Sequence, residues 1–231
     1  MNLLVGIVAL IIIISAYRGM KVGLIKTVFS IFSMIIALIL TLWISPIISK
    51  SMQENETIVN YFAKNIEAAF PTEEVGNKVS DQINFIDHLP LPESIKDSIN
   101  ENNNPDTYVA LAVNDFSTYI SHAIASIIIN AIAFVVTFVI FIIALRVLCM
   151  VLNIISKLPI LNQINKLTGL FVGAVHGIII IWLMFILLTA FAGSDIGQKA
   201  FVMINESPFL EYIYNNNLIL HFITNISKVL F

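Results

Sequence analysis

The chain has 231 residues, of which 58% are hydrophobic and only 12% charged, with a mean hydropathy of +0.91; an ordinary soluble domain carries roughly 25% charged residues. This excludes a water-soluble globular class, and the single cysteine, Cys149, excludes an intrachain disulfide. The formal net charge is -3, but twelve of the fifteen acidic residues lie between Glu54 and Asp115 while 1–53 and 116–194 contain none, so charge divides the chain into two environments.

In hydrocarbon the backbone must satisfy its own hydrogen bonds, so a spanning segment is a helix, and crossing about 30 Å takes roughly 20 residues. Leu3 to Tyr17 is short for a span, although Arg18 can snorkel and Met1-Asn2 can extend it. A secretory signal places its cations before the apolar run, whereas Arg18, Lys21 and Lys26 follow it, so this segment is expected to be retained. Thr27 to Ile48 follows, uncharged and broken only by Pro46 near its end; Ala123 to Leu145 is the third span, and Leu167 to Ala192 the fourth.

The connection between spans one and two carries Arg18, Lys21 and Lys26, and that between spans three and four carries Arg146, Lys157 and Lys166, with no acid in either. Positive residues stay on the cytoplasmic side, so these six are the expected topology determinants and both termini are expected outside. Four sections follow: 1–48, two spans joined by a basic cytoplasmic turn; 49–122, an acidic extracytoplasmic helical region; 123–192, two spans joined by a basic cytoplasmic loop; and 193–231, an extracytoplasmic amphipathic region. The predicted class is all-α, a polytopic helical membrane protein with four transmembrane helices, an extracytoplasmic amphipathic-helical insertion and a C-terminal amphipathic region.

In the acidic region the stripes Ile58, Val59, Phe62, Ile66, Phe70 and Val75, Val79, Ile83, Ile86 predict two amphipathic helices, the second started by Thr72 with Glu73 and Glu74 in its first turn. Pro92 opens a short helix carrying Ile95 and Ile99, which Asn102 to Pro105 ends. From Asp106 the stripe Val109, Val113, Phe116, Ile120 is expected to run unbroken into span three. Ser207 caps a further helix with Pro208 at its first position, and Leu218 to Phe231 is too short for a fifth span, suiting the interface or the outer helices.

Gly169, Gly173 and Gly177 repeat every four residues and put three side-chain-free positions on one helix face, where a neighbouring helix can approach closely. That neighbour is either within the chain or a second copy, which would make a homo-oligomer. Asn130, Thr137 and His176 are the candidate intramembrane polar site. Each has a plain reading as an interhelical hydrogen-bonding residue beside the sharper one of lining a path. No nucleophile elbow, paired-histidine zinc motif or phosphate loop occurs, so no catalytic, cofactor-binding or metal residue is expected, and the few cations are explained by topology rather than nucleic acid. The expected partners are the lipid bilayer and envelope or export proteins.

Three stretches, Ala16 to Ile25, Lys157 to Gly177 and Ser207 to Asn217, resemble the colicin V production protein (CvpA) family of bacterial membrane proteins. With the order and length of the spans, the resemblance covers most of the chain outside the acidic region, which looks like an insertion of some Gram-positive members. This sequence has Asn2 where the family often has an acid near the N-terminus, and His176 where a lysine is common. The resemblance implies a bacterial cytoplasmic-membrane protein associated with peptide-toxin production or export and with envelope homeostasis; the outer amphipathic helices and the glycine face add the expectation of a non-enzymatic accessory or scaffold. The competing expectation is a small channel or transporter whose polar path runs near Asn130, Thr137 and His176.

Overall fold

A computed structural model describes residues 2–72, 75, 78–151 and 163–224; Glu73, Glu74 and Lys157 lie outside the described residues. Among these the regular structure is helical, eleven helices with no strand. Four helices are long and apolar enough to cross a membrane: Leu3–Val22, Leu24–Gln53, Phe116–Cys149 and Lys166–Thr189. The chain divides into two compact units, one comprising Met1–Ser45 and Phe134–Met184, the other Pro46–Ala133 and Phe185–Phe231.

In the first unit, α1 spans Leu3–Val22. Its 20 residues correct the short segment read from the apolar run alone, because Arg18 to Val22 stay helical; at 1.5 Å per residue α1 is about 30 Å long. The Asn2 side chain starts it, accepting hydrogen bonds from the Leu4 and Val5 amides at 3.0 and 3.4 Å. Gly23 stops it with a φ of 86°, a left-handed conformation that costs a side-chain-bearing residue. One residue therefore separates α1 from α2 (Leu24–Gln53), and the Thr27 hydroxyl braces the corner by donating to the Gly23 carbonyl at 2.8 Å. Pro46 does not end α2, which continues helically for a further seven residues to Gln53. The unit is completed by parts of α7 (Phe116–Val151) and α8 (Gln163–Thr189).

In the second unit, α3 (Glu56–Ala69) is capped by Asn55 and buries Ala63 and Ile66. The helix expected from Thr72 begins later: α4 runs Val79–His88, Lys78 at its start offers no side-chain cap, and the Thr72 hydroxyl is instead hydrogen-bonded to Ser117. Helix α5 (Glu93–Glu101) follows Pro92 and ends at Asn102 as predicted, burying Ile95 and Ile99. The continuous helix expected from Asp106 is also corrected. Helix α6 (Pro105–Ala110) ends, Ala112 takes a φ of 54°, and Asp115 starts α7 by accepting the Thr118 amide at 2.8 Å. A cap competes there with the apolar stripe, and the cap wins.

Helices α9 (Asp195–Asn205), α10 (Pro208–Asn215) and α11 (Leu218–Thr224) close this unit. Ser194 caps α9, and Ser207 with Pro208 starts α10 as predicted. Helix α10 packs on α9 and α5, and α11 on α5. The core is formed by fully buried Ile66, Ile86, Leu91, Ile99, Phe185, Phe201 and Tyr214, whose removal from water supplies the stabilising term that orders these short helices.

Candidate functional sites

The glycine face of α8 is filled by α1 of the same chain. A Cβ on Gly173 would strike the Ser15 carbonyl oxygen and lie 3.0 Å from the Gly19 Cα and 3.1 Å from the Ala16 Cα. One on Gly169 would strike the Gly19 carbonyl oxygen and lie 3.1 Å from the Gly23 carbonyl carbon. At Gly177 the approach relaxes, with the Ser15 Cβ at 3.1 Å and the Ile12 Cα at 3.2 Å. The partner residues Ser15, Gly19 and Gly23 were not singled out from the sequence, yet they repeat with the same four-residue spacing as Gly169, Gly173 and Gly177. Small residues on both helices bring backbone against backbone, and dispersion contacts replace those lipid would have made.

Asn130, Thr137 and His176 divide between the units, Asn130 in the second and the other two in the first. Asn130 is buried, 4% exposed, and its polar atoms are committed. Its Oδ1 accepts from the Gln53 Nε2 at 2.8 Å and from the Ser49 hydroxyl, and its Nδ2 donates to the Ile223 carbonyl at 2.9 Å. Gln53 also donates to the Ser49 Oγ at 2.9 Å, closing a polar knot among α2, α7 and α11. Ser49 and Gln53 were missed because only the end of α2 beyond Pro46 puts them within reach. Thr137 is buried and has a polar partner of its own. His176 is half-buried.

The asparagines of the third stretch fasten the last helices. The Asn215 Oδ1 accepts from the Ser94 amide of α5 at 3.2 Å, while its carbonyl meets the His221 Nε2 at 2.7 Å. Asn217 starts α11 by accepting the Ile219 and Leu220 amides, both at 3.1 Å. Tyr214 is fully buried between Phe185 and Phe201, with its hydroxyl 2.7 Å from the Thr189 Oγ1. Since Thr189 gives its own proton to the Phe185 carbonyl at 2.9 Å, Tyr214 donates to Thr189. Burial pushes the Tyr214 phenol well above its ordinary range, the Thr189 bond opposing, and keeps it neutral.

On α5, Lys96 pairs with Glu93 at 3.2 Å. Partial desolvation, with Glu93 and Glu101 nearby, raises the carboxyl of the exposed Asp97 above its ordinary value, Lys96 opposing. Among the described residues no three His, Cys, Asp or Glu side chains stand together as a metal site. Arg18, Lys21, Lys26, Arg146 and Lys166, the cations expected to set topology, lie in the first unit on exposed or end-of-helix positions, with Lys21 over the Tyr17 ring at 4.7 Å.

Residues 108–217 match the family model described as Colicin V production protein. The match covers the second and third stretches and stops short of the first, which joins the second through the contact of Gly19 with Gly169 and Gly173. No curated protein and no solved structure matches the chain. With four helices long and apolar enough to span a bilayer, the chain carries a domain of the colicin V production family over residues 108–217.

Proposed function

We propose that this chain is a non-enzymatic accessory or scaffold of the bacterial cytoplasmic membrane, serving peptide-toxin production or export and the upkeep of the envelope. The match of residues 108–217 to the colicin V production family carries the reading. The arrangement of polar groups supports a packing role: the buried side chains of Asn130, Thr189 and Tyr214 bond to other parts of the protein, which favours a rigid platform over a wetted path. In this reading the basic connections face the cytoplasm, the acidic helical region and both termini face outward, and envelope or export proteins dock on the outer helices or the cytoplasmic loops. With the glycine face occupied by α1 in one chain, any self-association uses other surfaces.

Crosslinking in native membranes tests the reading, with photoreactive residues at the exposed positions Tyr61 and Tyr212. Recovery of a specific envelope or export protein is the expected result. Recovery of lipid alone, together with normal toxin output and envelope integrity in a deletion strain, would overturn it. Flux of a solute through liposomes containing only this protein would favour a channel instead.

A further inference from the structure

Helices α9 and α10 are apolar on two faces. Toward the second unit's core, α9 buries Ala200, Phe201 and Ile204, and α10 buries Leu210 and Tyr214. Their other faces carry Ile196, Val202, Phe209 and Tyr212, which are 72, 43, 48 and 68% exposed. Helix α5 of the same unit does the opposite: it buries Ile95 and Ile99 and exposes Glu93, Asp97 and Glu101, as a helix bathed in water does. A second apolar face needs a second apolar neighbour.

Both helices are fastened at the end of a spanning helix. The 24 residues of Lys166–Thr189 measure about 36 Å. That exceeds the roughly 30 Å of hydrocarbon, so the last turn of α8 reaches the headgroups. Helix α10 is held to this turn, with the Tyr214 ring 5.3 Å from that of Phe185 and its hydroxyl 2.7 Å from the Thr189 Oγ1. Helix α9 is held to the turn that follows, since a Cβ on Gly197 would strike the Phe191 carbonyl oxygen and lie 3.1 Å from the Ala192 nitrogen. Along the chain, exposed apolar residues continue from Leu187 on the span through Phe191 to Ile196.

We infer that α9 and α10 lie in the bilayer interface beside the end of α8, with Ile196, Val202, Phe209 and Tyr212 set about 5–10 Å into the boundary between headgroups and acyl chains. Lipid is the occupant because this surface extends one that the bilayer already covers, the lipid-facing side of the α8 span. The polar groups suit that depth. Lys199, exposed between Ile196 and Val202, lays its apolar stem on the surface and its ammonium among the phosphates. The Tyr212 phenol buries its ring and keeps its hydroxyl wet. The acidic helices, with Glu93, Asp97 and Glu101 outward, remain in water and open to protein partners. The inference uses the spans and not the scaffold reading, so each can fail alone.

The test uses the full-length chain with Cys149→Ser in liposomes of phosphatidylglycerol and phosphatidylethanolamine, spin-labelled singly through Ile196→Cys, Phe209→Cys or Asp97→Cys. Oxygen partitions into acyl chains and a nickel chelate stays in water, so the ratio of their effects on the label reports depth. That ratio should be several-fold higher for the labels replacing Ile196 and Phe209 than for the one replacing Asp97. Equal ratios would place both helices in water and overturn the inference. Spin–spin broadening that unlabelled chain dilutes away would give the face to a second copy and overturn it as well. The wild-type chain supplies a check free of substitutions: a phospholipid with a diazirine near the top of its acyl chain should crosslink to residues 195–212 and not to 93–101. Adducts on the spans alone would overturn the interfacial placement, and their absence from the spans would overturn the membrane reading with it.

Discussion

Gly19 and Gly169 exclude each other's side chains: a Cβ on either would strike the carbonyl oxygen of the other. Backbone atoms cannot swing aside as a side-chain end can, so Gly19→Val or Gly169→Val forces α1 and α8 apart. Overpacking of this kind costs about 1–3 kcal/mol. Gly6, also on α1, has nothing within 4 Å of its Cβ position, so Gly6→Ala should be neutral or mildly stabilising. Thermal unfolding in detergent compares the variants; equal stability of Gly19→Val and Gly6→Ala would contradict the backbone contact.

Gly23 turns the chain from α1 into α2 at a φ of 86°. Gly23→Ala should cost about 1–3 kcal/mol, the strain of placing a Cβ on positive-φ backbone with an extended ψ. Its signature is loss of stability without any change in surface charge. A variant that melts with the wild type would show the corner to be relaxed.

Asn130→Ala strips the partner from the Ile223 carbonyl, Ser49 and Gln53 together. Leaving buried polar groups unpaired costs about 1–3 kcal/mol, and the loss should concentrate in α11. Hydrogen exchange over residues 218–224 is expected to quicken while that over α9 changes little. Uniform quickening would place the knot elsewhere in the energetics.

Tyr214→Phe keeps the ring against Phe185 and Phe201 and deletes only the donor to Thr189. The expected cost is about 1 kcal/mol by unfolding. Tyr214→Ala also opens a cavity and should cost several-fold more; similar losses for both would assign the stability to the hydrogen bond rather than the ring.

Asp97 gives the acidic region a pH dependence of definite sign. Partial desolvation first, then Glu93 and Glu101, raise the carboxyl of this exposed residue in the folded protein, against Lys96. A folded-state pKa above the unfolded one adds stability that is complete below the unfolded value and lost as pH rises through the folded value. Stability should therefore fall slightly from acidic towards neutral pH, and Asp97→Asn should flatten that part of the profile. A variant with an unchanged slope would remove Asp97 as the cause.

Sequence patterns located the long helices because a run of some 20 apolar residues has few other fates. Their ends were harder to place. Arg18 to Val22 and the turns beyond Pro46 are helical through tertiary support that hydropathy does not register, and Asp115 ends an apolar stripe by capping a new helix. The glycine face was legible from its spacing, and so in principle was its partner, Ser15-Gly19-Gly23. The assignment of Asn130 to a knot was not, because Ser49, Gln53 and Ile223 are distant in sequence and only the fold brings them to it.

Reporter fusions along the chain test the central claim, a four-span protein with its basic connections in the cytoplasm and its acidic helices outside. Fusions after Lys26 and Lys157 should report cytoplasm, and one at Glu74 the outer side. A cytoplasmic signal at Glu74, or an external one after either lysine, would contradict the account.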